Sequence, residues 1–178
     1  MKLGTAFASI AMISVVAFAG AQGKPTKPVM KMAPHHKVNW QQMYDKAAKD
    51  FDSRNTDAIF SYMTPDFTMT MGGQTMTTEQ AKGQMKAWMS MMKSVHCTFK
   101  IKKVSEAGGM TMVVDDFMMT GMSKPNPKTH KSDKYVDAGT EQATWVQMNG
   151  KWMMKKLVSV KEKMTKNGKP FNPSSAAN

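Results

Sequence analysis

Two adjacent carboxylates stand inside an otherwise apolar stretch, residues 110–119. Side chains alternate between the faces of a strand, so Asp115 and Asp116 point to opposite faces and one of them faces the interior. Apolar surroundings move the pKa of a carboxyl towards neutrality, where it can act as a general base. Asp116 is predicted to be the inward residue because it is in phase with Met110, Met112, Val114 and Met118. The alternative is that both aspartates lie at a bulge or at a solvated strand end.

A lysine has a similar position on the last long strand that the sequence predicts. Lys156 is in phase with Trp152, Met154, Val158 and Val160, whereas Lys155 and Lys161 are out of phase. An inward lysine needs a partner for its charge. We therefore predict that Lys156 faces the interior and meets Asp116 in or near a pocket.

Methionine is unusually frequent, with 22 among 178 residues. Several methionines are separated by one residue, such as Met69 and Met71, and thioethers are soft donors that suit Cu(I). A copper-handling protein is therefore one interpretation. In a strand, however, the same spacing places both side chains on one face, and thioethers fill irregular apolar spaces. We favour core and pocket lining, and the four histidines lack the spacing of a zinc site.

Apolar periodicity predicts the elements that hold these residues. Spacings of three and four predict a helix from Asn39 to about Arg54, a short second helix ending before Pro65, and a third over residues 78–94. Alternation predicts a short hairpin around Gly72-Gly73 and then four long strands. These strands cover residues 95–106, 110–122, 135–148 and 152–161. The order predicts an α+β fold in which about three N-terminal helices cover one face of an antiparallel sheet.

The N-terminus has the parts of a secretory signal. Lys2 precedes an uncharged apolar run, and small residues follow at Ala17, Ala19 and Ala21. A membrane anchor is the alternative, but Gly and polar residues dilute the run that a spanning helix needs. We predict a signal peptide over residues 1–21, a secreted or periplasmic protein, and no stable membrane insertion after cleavage. Residues 22–38 are predicted to be a flexible basic tether, 39–165 one domain and 166–178 a polar tail.

The chain is basic, with a formal net charge of +12. Arg54 is the only arginine, and base or bidentate phosphate recognition relies on the planar fork of arginine. We therefore expect no nucleic-acid partner and interpret the charge mainly as a solvated surface. Cys97 is the only cysteine, so no intramolecular disulfide can form, and we predict that Cys97 is buried in a strand.

The element order and two segments carry a family resemblance. The first is DFTMTMGG at the early hairpin, and the second is TWVQMNGKWMMKKLVS in the last hairpin, which includes Trp145, Gly150 and Trp152. Over residues 39–165 the chain resembles the nuclear-transport-factor-two-like superfamily, and within it the SnoaL-like and ketosteroid-isomerase-like branches. The resemblance implies a cone-shaped fold in which a strongly curved sheet and its covering helices enclose an apolar pocket, and it implies a homodimer.

The resemblance also implies where catalytic groups would lie. Tyr44 matches the first-helix tyrosine of the isomerase branch, but the early strand has Thr68, Met69, Thr70 and Met71 where that branch keeps an acid. The last strand has Lys156, Leu157 and Val158 where SnoaL-like relatives often keep a histidine. Both departures weaken an enzymatic interpretation.

Three functions remain open at this point, and fold alone does not choose between them. The first is a non-catalytic domain that binds a small apolar molecule or a partner. Its predicted pocket residues are Trp40, Tyr44, Phe67, Met69, Trp88, Phe117, Tyr135, Trp145 and Lys156. The second is a SnoaL-like isomerase, cyclase or dehydratase that uses Asp116 and Tyr44 as catalytic residues without metal or organic cofactor. The third is the copper-handling protein.

Overall fold

A computed structural model describes residues 38–172 of the chain. The signal peptide predicted for residues 1–21 and all but the last residue of the predicted tether lie outside the described residues. Within residues 38–172, no helix is both long enough and apolar enough to cross a membrane.

Three helices occur in the described part of the chain, and each begins at a residue whose side chain caps it. The helices are α1 (Trp40–Asp52), α2 (Thr56–Phe60) and α3 (Thr78–Met91). The Asn39 side chain accepts a hydrogen bond from the Gln42 amide at the start of α1, and Asn55 caps α2 in the same way. Thr77 and Gln80 form a reciprocal capping box on α3. These caps satisfy amide groups that have no partner within the helix.

The strands of the described region form one sheet of seven. They are β1 (Met63–Met71), β2 (Gln74–Thr77), β3 (Met92–Ala107), β4 (Met110–Ser123), β5 (Lys134–Met148), β6 (Lys151–Lys166) and β7 (Lys169–Pro170). Their order is β2-β1-β6-β5-β4-β3, with β7 paired to the end of β6. The predicted α+β fold of three helices on a curved sheet is confirmed. The sheet is mixed rather than wholly antiparallel, because β1 runs parallel to β6.

The C-terminal boundary differs from the prediction of a polar tail from residue 166. Asn167 and Gly168 both have positive φ values, 52° and 79°, and form a tight turn that returns the chain as β7. Phe171 then packs edge-on against Tyr135, with ring centroids 5.7 Å apart. The folded domain therefore extends to at least residue 171.

The faces of β4 are opposite to those that the sequence predicted. Thr111, Val113, Asp115 and Phe117 are buried on the inner face, which α1 and α3 cover. Met110, Met112 and Met118 lie on the outer face and are 45%, 39% and 47% exposed. The predicted inward position of Asp116 is therefore wrong, since the methionines in phase with it face outwards. On the outer face, Lys102 Nζ lies 3.0 Å from Asp116 Oδ2, and Thr140 Oγ1 donates to Asp116 Oδ1 over 2.9 Å.

Lys156 also lies on the outer face, and its predicted meeting with Asp116 does not occur. The cause is a β-bulge, because Trp145 pairs with Met154 whereas the preceding Thr144 pairs with Lys156. One extra residue on β6 reverses the alternation at this point. Met154 and Leu157 therefore both face the interior, and Lys156 is exposed. A simple two-residue period across residues 152–160 could not show this reversal.

Candidate functional site

A cavity of about 110 Å³ lies between the helical layer and the inner face of the sheet. Its walls are mainly thioether and aromatic. The methionines are Met43, Met63, Met69, Met71, Met85, Met119 and Met154, and the aromatic residues are Tyr44, Phe51, Tyr62, Phe99, Phe117 and Trp145. Ala47, Ile59 and Leu157 complete the apolar wall, and Cys97, Asp137 and Glu141 add polar groups. An engineered apolar cavity of about 150 Å³ holds benzene, so this smaller space suits a molecule of at most about six heavy atoms.

Side-chain hydrogen bonds hold helix α1 against β3, and these bonds set the position of Tyr44. The Gln41 side chain donates to the Phe99 carbonyl over 2.9 Å and accepts from the Ile101 amide over 3.1 Å. Near the other end of α1, Asp52 Oδ1 accepts from the Cys97 amide over 2.8 Å. Both side chains use backbone groups that the edge strand β3 leaves unpaired. The helix is thereby held over the sheet with Tyr44 facing inwards.

Tyr44 is a buried neutral hydrogen-bond donor. Trp145 Nε1 donates to the Tyr44 oxygen over 3.2 Å, which leaves the phenolic hydrogen free for another acceptor. The ring lies edge-on to Phe99, with centroids 5.4 Å apart. Burial, followed by the charges of Asp115 and Glu141, raises the pKa of Tyr44 well above its usual range. Tyr44 therefore keeps its proton and acts as a donor, not as a base.

The Asp115 carboxyl is fully buried, with no exposed surface. Neither oxygen has a partner in hydrogen-bond geometry within the described structure. Burial raises the pKa of Asp115 to about 7, although the nearby Tyr44 hydroxyl opposes this shift. The Tyr44 hydroxyl is thus close enough to affect Asp115 without forming a regular hydrogen bond. Asp115 pairs in register with Glu141 on β5, so the two acids are neighbours on the inner face.

Two further acids, Asp137 and Glu141, line the cavity itself. Burial raises the pKa of Asp137 to about 7, with a smaller contribution from Glu162. Burial also raises the pKa of Glu141 well above its usual value, and the neighbouring Asp115 and Asp137 add to the shift. At neutral pH the cavity therefore contains a protonated Glu141 and a partly protonated Asp137, and the protonated forms can donate hydrogen bonds. Glu162 on β6 pairs in register with Gly139, which lies between these two acids on β5, and its side chain is exposed.

Gly139 lets the sheet close tightly at this point. A Cβ atom there would lie 2.9 Å from the Phe117 ring and would collide with the Lys161 carbonyl. Only glycine gives β6 and the Phe117 ring this close approach. The residue therefore sets the spacing of the acids around it.

The residues predicted for the site fall into three groups. Tyr44, Met69, Phe117 and Trp145 line the cavity. Trp40, Phe67, Trp88 and Tyr135 belong to or pack against the core without lining the cavity. Asp116 and Lys156 face away from it, for the reasons given above.

Sequence reasoning assigned Asp115 to the wrong face of its strand and missed Asp137 and Glu141. The signal for the last two was present, because both are in phase with Trp145 on one strand. Asp115 is likewise in phase with Phe117 rather than with the methionines of β4. Among the described residues, no group of three or more His, Cys, Asp or Glu side chains is arranged to hold a metal ion.

Comparison with models of protein families and with curated protein sequences gives no match for this chain. Solved structures do match. A candidate scytalone dehydratase from Novosphingobium aromaticivorans is 12% identical, with a TM-score of 0.58 over 71% of this chain and 81% of that one. Aln2 from a Streptomyces species is 14% identical, with a TM-score of 0.53 over 71% and 90%.

A hexachlorocyclohexane dehydrochlorinase, LinA type 2, is 14% identical, with a TM-score of 0.50 over 76% of this chain and 95% of that one. Identities this low establish a shared fold and nothing about the reaction. The three helices, the curved mixed sheet and these neighbours together show that residues 38–172 have the nuclear-transport-factor-two-like α+β fold.

Proposed function

We propose that this domain binds a small, mostly apolar molecule in the cavity between α1 and the sheet. The observation that carries the proposal is the distribution of its lining groups. Apolar and aromatic side chains form most of the wall, and the polar groups of Tyr44, Asp137 and Glu141 come from α1 and β5. A mostly apolar wall with a few fixed polar groups is typical of small-molecule sites.

A direct test is calorimetric titration of the full chain with cyclopentanol, an uncharged probe of six heavy atoms. Ala47 lines the cavity from α1, and Ala47→Leu should fill part of the space without disturbing the helix. We expect this variant to weaken probe binding at least tenfold. Ala87→Leu, on an exposed position of α3, is the matched control and should bind like the wild type. Equal binding by both variants would contradict a ligand site in this cavity.

The second candidate function is cofactor-independent proton transfer on such a molecule, now with Asp137 and Glu141 rather than Asp116. It is supported by the pKa of Asp137 at about 7, because a group that is half protonated at neutral pH serves both as acid and as base. The names dehydratase and dehydrochlorinase among the structural neighbours are compatible with acid–base chemistry on this fold.

Proton transfer can be tested by NMR with cyclopentanone in D₂O, since the hydrogens next to its carbonyl exchange only when they are abstracted. We expect the wild type to accelerate exchange and Asp137→Asn to reduce the rate at least tenfold. If the wild type exchanges these hydrogens no faster than the buffer alone does, proton transfer is contradicted and only the binding function remains.

We also propose that the domain acts after export and as a homodimer. The N-terminal apolar run supports export, and the mass of the chain isolated from its host would show whether about 21 residues are removed. Exposed methionines on the outer face of β4 support association of two copies.

A further inference from the structure

Three buried carboxyl groups share the inner face of the sheet without any basic partner. They are Asp115, Asp137 and Glu141. Within residues 38–172, every ion pair uses other acids, namely Asp52, Asp57, Asp66, Asp116 and Asp133. A chain with a net charge of +12 has many lysines that could have neutralised these three groups. In the described structure none of the three forms an ion pair, and Lys46 Nζ instead donates to the hydroxyl of the cavity-lining Tyr62 over 2.9 Å.

Two of these acids have oxygen atoms that are buried and unpartnered. Asp115 is fully buried and both of its oxygens lack a partner, and Asp137 is 5% exposed with Oδ1 unpartnered. Buried polar atoms in proteins nearly always have hydrogen-bond partners, and each exception needs an explanation. Asp137 lines the cavity, so an occupant with hydrogen-bond donors would supply the missing partner.

The residues that line the cavity indicate the chemical class of this occupant. Among the described residues, no group of three or more acids, histidines or cysteines is arranged to coordinate a metal ion. Trp145, Tyr44 and Phe99 present aromatic surfaces to the cavity, and such surfaces attract organic cations. Thioethers cover most of the remaining wall and suit an apolar body.

We propose that the ligand is a small organic ammonium ion, with its nitrogen at Asp137 and Glu141 and its apolar body against the aromatic and methionine wall. This inference rests on the proposed binding function and names its ligand class. Asp115 lies opposite Glu141 on the neighbouring strand and acts as a positioning residue. The ammonium group supplies the donor that the Asp137 oxygen lacks, and the Asp137 and Glu141 carboxylates supply the charge that neutralises it.

The titratable groups around this position come from every packed element. Tyr44 comes from α1, Cys97 from β3, Asp115 from β4 and Glu162 from β6. Tyr62 precedes β1, and its hydroxyl donates to Asp50 and accepts from Lys46. Tyr44 and Cys97 remain neutral because burial raises the pKa of each. The carboxyls are therefore the groups that respond to a bound cation.

Binding of an ammonium ion should release protons. A nearby positive charge lowers the pKa of a carboxyl, so an acid that was protonated in the free cavity transfers its proton to the buffer when the cation binds. Affinity for the cation should then rise with pH, by up to tenfold per pH unit for each proton released. An uncharged ligand of the same shape causes no such release.

The test compares cyclopentylamine, which is protonated at neutral pH, with cyclopentanol. Calorimetry of the full chain at pH 7 in two buffers with different ionisation enthalpies measures the protons released on binding. We expect the amine to bind at least tenfold more tightly than the alcohol, to release protons, and to gain at least threefold in affinity between pH 6 and pH 8. The alcohol should show neither proton release nor pH dependence.

Two variants test which carboxyl groups cause the preference for the amine. Asp137→Asn with Glu141→Gln should abolish the preference for the amine while cyclopentanol still binds, and Asp116→Asn on the outer face should behave like the wild type. An alcohol that binds as tightly as the amine, or an amine whose affinity falls with pH, would overturn the ammonium inference and leave the binding function standing. Failure of both probes to bind would overturn the binding function itself.

Discussion

Replacing Asp115 with asparagine should change how the stability of the domain depends on pH. Burial raises the pKa of Asp115 from its ordinary value of 3.8 to about 7 in the folded protein. Below about pH 4 the group is protonated in both the folded and the unfolded state. Between pH 4 and pH 7 only the unfolded chain loses this proton, so the free energy of unfolding falls as the pH rises. Asparagine cannot ionise, and this loss should be absent from the variant.

The size of the effect follows from the shift. The pKa of Asp115 shifts by about three units, and each unit corresponds to about 1.4 kcal/mol. The free energy of unfolding should therefore fall by about 4 kcal/mol between pH 4 and pH 7. Water that enters around an ionised Asp115 reduces this amount, so we expect 2 to 4 kcal/mol. The variant should be no more stable than the wild type at pH 4, because its amide is buried among unpaired groups. Relative to the wild type, it should gain about 2 to 4 kcal/mol by pH 8.

Urea unfolding followed by tryptophan fluorescence between pH 4 and pH 8 measures this difference, since all four tryptophans lie in the domain. Asp116→Asn is the matched control on the same strand. Lys102, followed by Thr140, lowers the pKa of Asp116, so this group stabilises the fold above the unfolded pKa and loses its effect in acid. Its replacement should therefore give a small change of the opposite sign. Parallel pH profiles for Asp115→Asn and the wild type would refute the assignment of Asp115 as a buried acid with a raised pKa.

Three further predictions concern the rest of the domain. Cys97 is 3% exposed and burial raises the pKa of its thiol, so Ellman's reagent should react with it only after unfolding. Rapid reaction in native buffer would contradict the buried position of Cys97. Gly139→Ala should lower the free energy of unfolding by about 2 kcal/mol or more, because the added Cβ atom would collide with β6. Gly83→Ala, on an open helical position, should raise the free energy of unfolding by up to about 1 kcal/mol. Urea unfolding that gives the opposite order of stability would contradict the packing of β5 against β6. Met118→Lys, on the outer face of β4, should convert the proposed dimer to a monomer in sedimentation, whereas Met91→Lys should not. An unchanged sedimentation coefficient for Met118→Lys would exclude the outer face of β4 as the interface.

The elements could be predicted from the sequence because their signals are local. Glycine turns, helix caps and alternating strands are set by neighbouring residues, and the bounds of β4 and β5 differ from the expected ones by a single residue at most. The parallel pairing of β1 with β6 could not be predicted in this way, since it joins segments about ninety residues apart. The turn at Asn167-Gly168 was a local signal that the prediction overlooked.

The orientation of the acids was wrong for a physical reason. The prediction assumed that methionine marks the interior, yet Met110, Met112 and Met118 lie on the outer face of β4. On β6 a bulge reverses the alternation and turns Lys156 outwards. Aromatic residues were better markers of the interior, because Phe117 and Trp145 are in phase with the acids that the structure buries.

The proposal of a ligand site between α1 and the sheet can be tested most directly by NMR of the full chain labelled with ¹³C at the methionine methyl groups. The structure places Met69, Met119 and Met154 on the cavity wall and Met112 and Met118 on the outer face. With saturating cyclopentanol, we predict nuclear Overhauser contacts from the probe to the three lining methyl groups and none to the two outer ones. Contacts confined to the outer methyl groups, or no contact with any methionine, would contradict a ligand site in this cavity.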